Sequence, residues 1–238
     1  MFSLPFAPIL LNYEQKNSVL KLVIGNKNYS SWSLRPWFWL KQNQIPFEEI
    51  RLPLFTDQWH REIGTYTPTR CVPVLIDDEF CVWESVAIMD YVLEAVPTAK
   101  GWPADKKARA TARSVVAEMH SGFLAVRGEL PLNVRARCSR SAADFSETAQ
   151  QQLQRIQTLW RDCHQHYGQH GPWMFGDFSI ADAMYAPVAL RLITYGVPVI
   201  PEAQYFMDAI QASDAIQQWS EAAIAEPERL PYFDEKCQ

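Results

Sequence analysis

The first regular pattern in the chain is the run Leu20-Lys21-Leu22-Val23-Ile24, closed by Gly25-Asn26. A short apolar run bounded by turn residues predicts a strand. A polar loop, Asn28-Tyr29-Ser30-Ser31, follows. A helical pattern then runs from about Ser33 to Gln42, with Trp37, Phe38 and Leu40 in its body. Pro36 is expected in the first turn of that helix, where a missing N–H costs little. Pro46 follows the helix, and Phe47 to Leu52 reads as a second strand. Residues 57–64 predict a short helix. Val72-Pro73-Val74-Leu75-Ile76 is a third strand, and Asp77-Asp78 turns the chain into a fourth, Phe80-Cys81-Val82-Trp83. Glu84-Ser85 opens a helix that reaches about Val96, where Pro97 stops it.

This order implies a right-handed parallel crossover followed by a hairpin on the same sheet. After Pro97 the pattern changes. Residues 98–106 read as a linker, and from there to Glu226 the periodicity is helical. Helices are expected from about 105 into the 120s and over roughly 144–167, 179–194 and 204–225. The fold class expected is therefore α+β. A mixed four-stranded sheet with helices occupies 20–97, an all-helical bundle occupies 107–238, and residues 1–19 form an N-terminal extension.

Composition narrows the function more than the fold. The chain has 238 residues, 48% hydrophobic and 21% charged, which is ordinary globular material. Its net charge of −5 gives no basic surplus, so nucleic acid is not an expected partner. Residues 1–11 are apolar but lack a basic n-region and a cleavage site, and they fall short of the about 20 residues that a membrane span needs. A soluble, cytoplasmic protein is expected. Five cysteines, Cys71, Cys81, Cys138, Cys163 and Cys237, form no C-x-x-C pair, so neither a disulfide scaffold nor a zinc finger is expected. His164, His166 and His170 read as a solvated helix end, and no metal is expected. Nine Trp and 16 Pro are the unusual counts.

Four places can carry chemistry. Tyr29-Ser30-Ser31-Trp32-Ser33 lies between a strand end and a helix start. Serines there are common N-caps, but a helix N-terminus also offers free N–H groups and positive potential to a thiolate. Cys71-Val72-Pro73 opens a strand with a proline, as an ordinary trans edge residue or as a cis bond that leaves the Val72 backbone groups open to an extended ligand. Glu84-Ser85 stands at a strand-to-helix junction, with Ser85 the expected N-cap. Ser179-Ile180-Ala181-Asp182 has capping-box spacing and reads as structural. Arg127, Arg135, Arg137 and Arg140 form a basic run that could receive an anionic group, although such a run usually reads as a solvated face. Glu118 to Phe123 would face the α/β half if the two halves pack.

Taken together, the Ser-rich loop, Val-Pro, Glu-Ser and the later Ser-x-x-Asp box resemble a cytosolic glutathione S-transferase over about residues 20–228. Ser-Ser-Trp-Ser-Leu-Arg is similar to the Ser-Ser-Cys-Ser-x-Arg motif of zeta-class members, with Trp32 in place of the cysteine. The resemblance implies a thioredoxin-like first half with glutathione as co-substrate. It implies a cis bond before Pro73, with Val72 pairing the cysteinyl part and Glu84 and Ser85 holding the γ-glutamyl group. Ser30 would stabilise the thiolate, with Ser31 in reserve and Ser33 a third possible contact. A small, apolar electrophile would meet Trp32, His120, Phe123, Arg127 and Tyr195 between the halves. A homodimer is also implied. The alternatives are a maleylacetoacetate isomerase-like enzyme and a non-catalytic ligand-binding or interaction protein of the same fold.

Overall fold

The computed structural model describes residues 19–237. The expected N-terminal extension, apart from Val19, lies outside the described residues. Strand β1 (Leu20–Ile24) is followed by α1 (Ser31–Gln42), β2 (Phe47–Arg51), α2 (Asp57–Tyr66), β3 (Val74–Asp77), β4 (Phe80–Trp83) and α3 (Ser85–Ala95). The sheet order is β2-β1-β3-β4. β1 pairs in parallel with β2, as the crossover requires, and antiparallel with β3, which pairs antiparallel with β4. This is the mixed four-stranded sheet that the strand order implied, with the thioredoxin-like arrangement that the resemblance implied.

The helical half holds α4 (Lys106–Ser121), α5 (Leu124–Glu129), α6 (Glu147–Cys163), α7 (Ile180–Tyr195), α8 (Pro201–Ala212), α9 (Asp214–Ala225) and the single turn α10 (Pro231–Asp234). Helix α7 is apolar on nearly every side and buried along almost its whole length, because it packs against α1 on one face and α4 on another. One apolar core therefore runs through both halves. Among the described residues no helix is long and apolar enough to cross a membrane.

Several local expectations need correction. Helix α1 starts at Ser31, two residues early, which puts Pro36 in its second turn. The single helix expected over 204–225 is two, because Ser213 takes an extended backbone and gives its hydroxyl to Gln42 Oε1 at 2.9 Å. Ser85 is not the cap of α3. The cap is Glu84, held in the left-handed region at φ 72. The cysteines also pair once: Cys138 and Cys237 are disulfide-bonded, with Cα atoms 5.5 Å apart. They lie 99 residues apart, so no local spacing marks them.

Arg135 is not on a solvated face either. Its guanidinium donates to the Glu226 and Glu228 carbonyls at 2.8 and 2.7 Å and to the Tyr29 hydroxyl at 3.0 Å. It thereby ties the C-terminal segment to the loop after β1. Hydrogen bonds from a charged donor are worth about 1.5–3 kcal/mol each when their loss leaves partners unsatisfied. Arg135→Ala is expected to lower stability by about 2–3 kcal/mol, read as a fall in the urea midpoint at unchanged slope.

Candidate active site

The loop between β1 and α1 is built by backbone economy. The Tyr29 and Ser30 N–H groups donate to the Asn26 carbonyl at 3.1 and 2.8 Å, which folds the chain into a turn aimed at the start of α1. Ser30 caps that helix: its Oγ accepts from Ser33 N at 3.3 Å and donates to Ser33 Oγ at 2.7 Å. Ser33 is fully buried and also accepts from Gly25 N at 3.1 Å, so it serves structure and not a ligand. Ser31 accepts from Arg191 Nη2 at 3.1 Å, and among the described residues no acceptor is committed to its own proton. Both neighbouring serines sit at the positive end of α1.

A cavity of about 710 Å³ opens beside them. That is the size of an ordinary small-ligand cleft. Ser30, Ser31 and Trp32 form one side of it, and Cys71, Val72, Pro73 and Glu84 another. The Val72–Pro73 bond is cis. β3 begins only at Val74, so Val72 lies beyond the paired register of the sheet. Glu84 is half exposed at the head of α3, with Oε2 3.6 Å from His120 Nε2. Of the expected glutathione contacts, the structure gathers Ser30, Ser31, Val72, Pro73 and Glu84 around one space. It does not bring the Ser85 hydroxyl there, because Ser85 is fully buried and faces Met184 Sδ at 3.7 Å.

The expected second-substrate wall is only partly formed as drawn. Trp32 and Arg127 line the cavity. Phe123 is buried in the core beside Tyr185, with ring centroids 6.4 Å apart. Tyr195 is fully buried and donates to the Pro131 carbonyl at 3.0 Å. His120 stands behind Trp32, edge to face at 5.1 Å. These three pack or orient the wall but do not form it. Leu124, exposed at the start of α5, takes the place given to Phe123.

Arg191, from α7, and Arg35, from α1, were not expected here. Arg191 lines the cavity, and Arg35 is fully buried with its guanidinium 4.0 Å from the Trp32 ring centre. Arg127 approaches the same ring at 5.0 Å. Burial lowers the pKa of all three; the charges of Arg191 and Arg127 lower Arg35 further, and that of Arg127 adds to the effect on Arg191, which falls to about 10. One signal of Arg191 is legible in the sequence: it is the only charged residue between Ala183 and Leu192 in an otherwise apolar helix.

Residues 29–95 match the family model described as the N-terminal domain of glutathione S-transferase. Over 60 residues the chain is 47% identical to a dichloromethane dehalogenase of Methylorubrum extorquens, a stretch that covers 24% of this chain and 21% of the dehalogenase. A second dichloromethane dehalogenase, from Methylophilus leisingeri, is 35% identical over 63 residues, 24% of its length. The chain thus matches less than a quarter of either dehalogenase. Across whole structures it is similar to a Burkholderia glutathione transferase homologue solved with bound glutathione. That similarity has 26% identity and a TM-score of 0.66, and covers 87% of this chain and 98% of the other. A maleylpyruvate isomerase, at 20% identity and a TM-score of 0.65 over 88% and 100% of the two chains, shares the fold.

Proposed function

We propose that the chain, whose residues 29–95 match the N-terminal domain of glutathione S-transferase, binds glutathione in its cavity and raises the population of its thiolate for attack on an electrophile. The observation that carries this reading is the convergence of Ser30, Ser31, Val72, Pro73 and Glu84 on one cleft at the start of α1. Glutathione lies extended past Val72, whose backbone groups pair with the cysteinyl unit. The Glu84 carboxylate takes the γ-glutamyl ammonium. The sulfur then meets the head of α1, where backbone dipoles favour negative charge.

Between the serines, the hydroxyls divide the work. The Ser30 hydroxyl is used by Ser33 in both directions, and its task is to hold the helix start. Ser31 has a proton to give and a guanidinium behind its oxygen that makes the proton a better donor. We therefore assign the thiolate contact to Ser31, with Ser30 as its support. The bound anion attacks carbon, and the leaving group departs with the electron pair of the broken bond. The partial likeness to two dichloromethane dehalogenases supports displacement from carbon as the reaction class. A homodimer belongs to this reading, and a monomer in sedimentation removes that part of it.

Retention on immobilised glutathione tests the core of the proposal. Failure to bind at millimolar glutathione overturns it. Glu84→Gln keeps the shape of the side chain and removes its charge. It is expected to weaken glutathione about tenfold, since one charge-assisted contact corresponds to about 1.4 kcal/mol. Titration calorimetry with S-methylglutathione measures this without interference from chemistry.

A further inference from the structure

Three guanidiniums converge on Ser31 and Trp32, and among the described residues none of the three forms an ion pair with a carboxylate. Arg35 is fully buried and Arg191 nearly so, and Arg127 is half-buried at the cavity wall. Among the described residues, Nε, Nη1 and Nη2 of Arg35 and Nε and Nη1 of Arg191 meet no acceptor. Among the described residues Arg127 donates to the His120 and Gly122 carbonyls, at 3.4 and 3.5 Å, and to no carboxylate. The charge of an arginine cannot be shed by deprotonation, and burying one unpaired is among the costlier arrangements a fold can hold. Here Arg35 feels both Arg191 and Arg127 as repelling charges, and Arg191 feels Arg127. The face of Trp32 offsets part of this, with Arg35 4.0 Å and Arg127 5.0 Å from its centre, but a ring supplies no hydrogen-bond acceptor. Glu84 is the acidic group whose charge reaches Arg35, and its carboxylate lies beside His120.

Such a cluster fits a negative ligand group. A planar guanidinium fork matches an oxyanion in two-point geometry. Arg127 and Arg191 both line the cavity that holds Ser31. We propose that this end of the cavity is an anion site, and that the electrophile carries a carboxylate or similar oxyanion. Arg191 and Arg127 hold that group, Trp32 flanks its carbon frame, and the reactive carbon lies beside Ser31. This replaces the wholly apolar electrophile expected from the sequence. The reaction rests on the glutathione reading above, whereas the anion site does not.

Binding is tested first, by calorimetry without glutathione, using benzoate, phenylphosphonate and the neutral benzyl alcohol. At least one of the two anions is expected to bind tenfold or more tighter than benzyl alcohol, and the tighter of the two identifies the oxyanion. Arg191→Met is expected to abolish that preference while melting no lower than the parent, because an unpaired buried charge has been removed. Arg127→Met, at a less buried position, is expected to reduce it about tenfold. Conjugation is tested next with 4-(bromomethyl)benzoate and its methyl ester. The thiolate sulfur bonds to the benzylic carbon as bromide leaves with the bonding pair. The acid is expected to be preferred at least tenfold in kcat/KM, and the preference is expected to vanish in Arg127→Met.

If neither anion binds better than benzyl alcohol, the proposal is overturned. If Arg127→Met weakens S-methylglutathione as much as it weakens benzoate, the arginines serve the carboxylates of glutathione, and the proposal is again overturned. If benzoate binds and S-methylglutathione does not, the anion site stands and the glutathione reading falls.

Discussion

Ser31→Ala is expected to lower the rate of glutathione conjugation at neutral pH by about one to two orders of magnitude, with S-methylglutathione affinity within about threefold of the parent. Losing one preorganised donor to a developing or resident anion typically costs about a hundredfold or more in enzymes that depend on it. A thiolate bound there would keep the helix end and the field of Arg191, which moderates the expected loss. The direct readout is the titration of bound glutathione by thiolate absorbance, which should move to higher pH. Ser30→Ala is expected to behave differently. It removes the cap of α1, worth about 1 kcal/mol of stability, and should reduce the rate less than Ser31→Ala does. If Ser30→Ala abolishes the thiolate signal and Ser31→Ala leaves it intact, the assignment of the donor is reversed.

Asp182→Ala should be the most damaging single change to the fold. The carboxylate of Asp182 is fully buried and accepts from Met174 N at 2.9 Å, Ser179 N at 2.8 Å and Ser179 Oγ at 2.7 Å. Removing it leaves three buried donors without an acceptor at the head of α7, the helix that carries Arg191. A loss of about 3–5 kcal/mol is expected, or a fall of about 10 °C in melting temperature for a chain of this size. The same residue sets a pH dependence. Burial raises its carboxyl from the ordinary 3.8 to about 7, against the pull of its hydrogen bonds. The folded chain therefore holds that proton more tightly than the unfolded chain does. Its contribution to stability is full below about pH 4 and is lost as the pH rises through about 7. The change in urea midpoint between pH 5 and pH 8 should be smaller in Asp182→Asn than in the parent. An equal change in both shows that another group titrates.

Much of the fold is written locally. The crossover and hairpin follow from short apolar runs and an Asp-Asp turn, and the Ser179–Asp182 box marks the start of α7 four residues ahead of its apolar body. The site is legible to the extent that its residues sit at element ends: Ser30 and Ser31 before α1, Val72 and Pro73 before β3, Glu84 before α3. What escapes is whatever depends on the partner a side chain meets. Phe123 and Tyr195 have the composition of a pocket wall, yet one packs on Tyr185 and the other is spent on the Pro131 carbonyl. Ser85 has the right neighbour but points into the core. The break at Ser213 is a backbone event inside a continuous helical pattern, although Ser213-Asp214 is itself a cap followed by an acidic first turn. The arginine cluster brings Arg35, Arg127 and Arg191 together from three helices; the resemblance points to Arg127, and the isolation of Arg191 among apolar neighbours hints at the second, but nothing local marks their meeting.

The loop that presents Ser30 and Ser31 is finished by the far end of the described chain. The Lys27 and Asn28 N–H groups donate to the Glu226 carboxylate at 2.7 and 3.1 Å, across separations of 199 and 198 residues. The Tyr29 hydroxyl donates to the Asp234 carboxylate at 2.9 Å. Contacts so distant along the chain form after the entropy of closing a very long loop has been met. The sheet and α1 can assemble from neighbours in sequence, but the loop that would receive the sulfur acquires its last partners late in folding. In refolding, regain of ligand binding should therefore trail regain of helix signal, and residues 20–97 made alone should form a sheet whose ligand loop is loose.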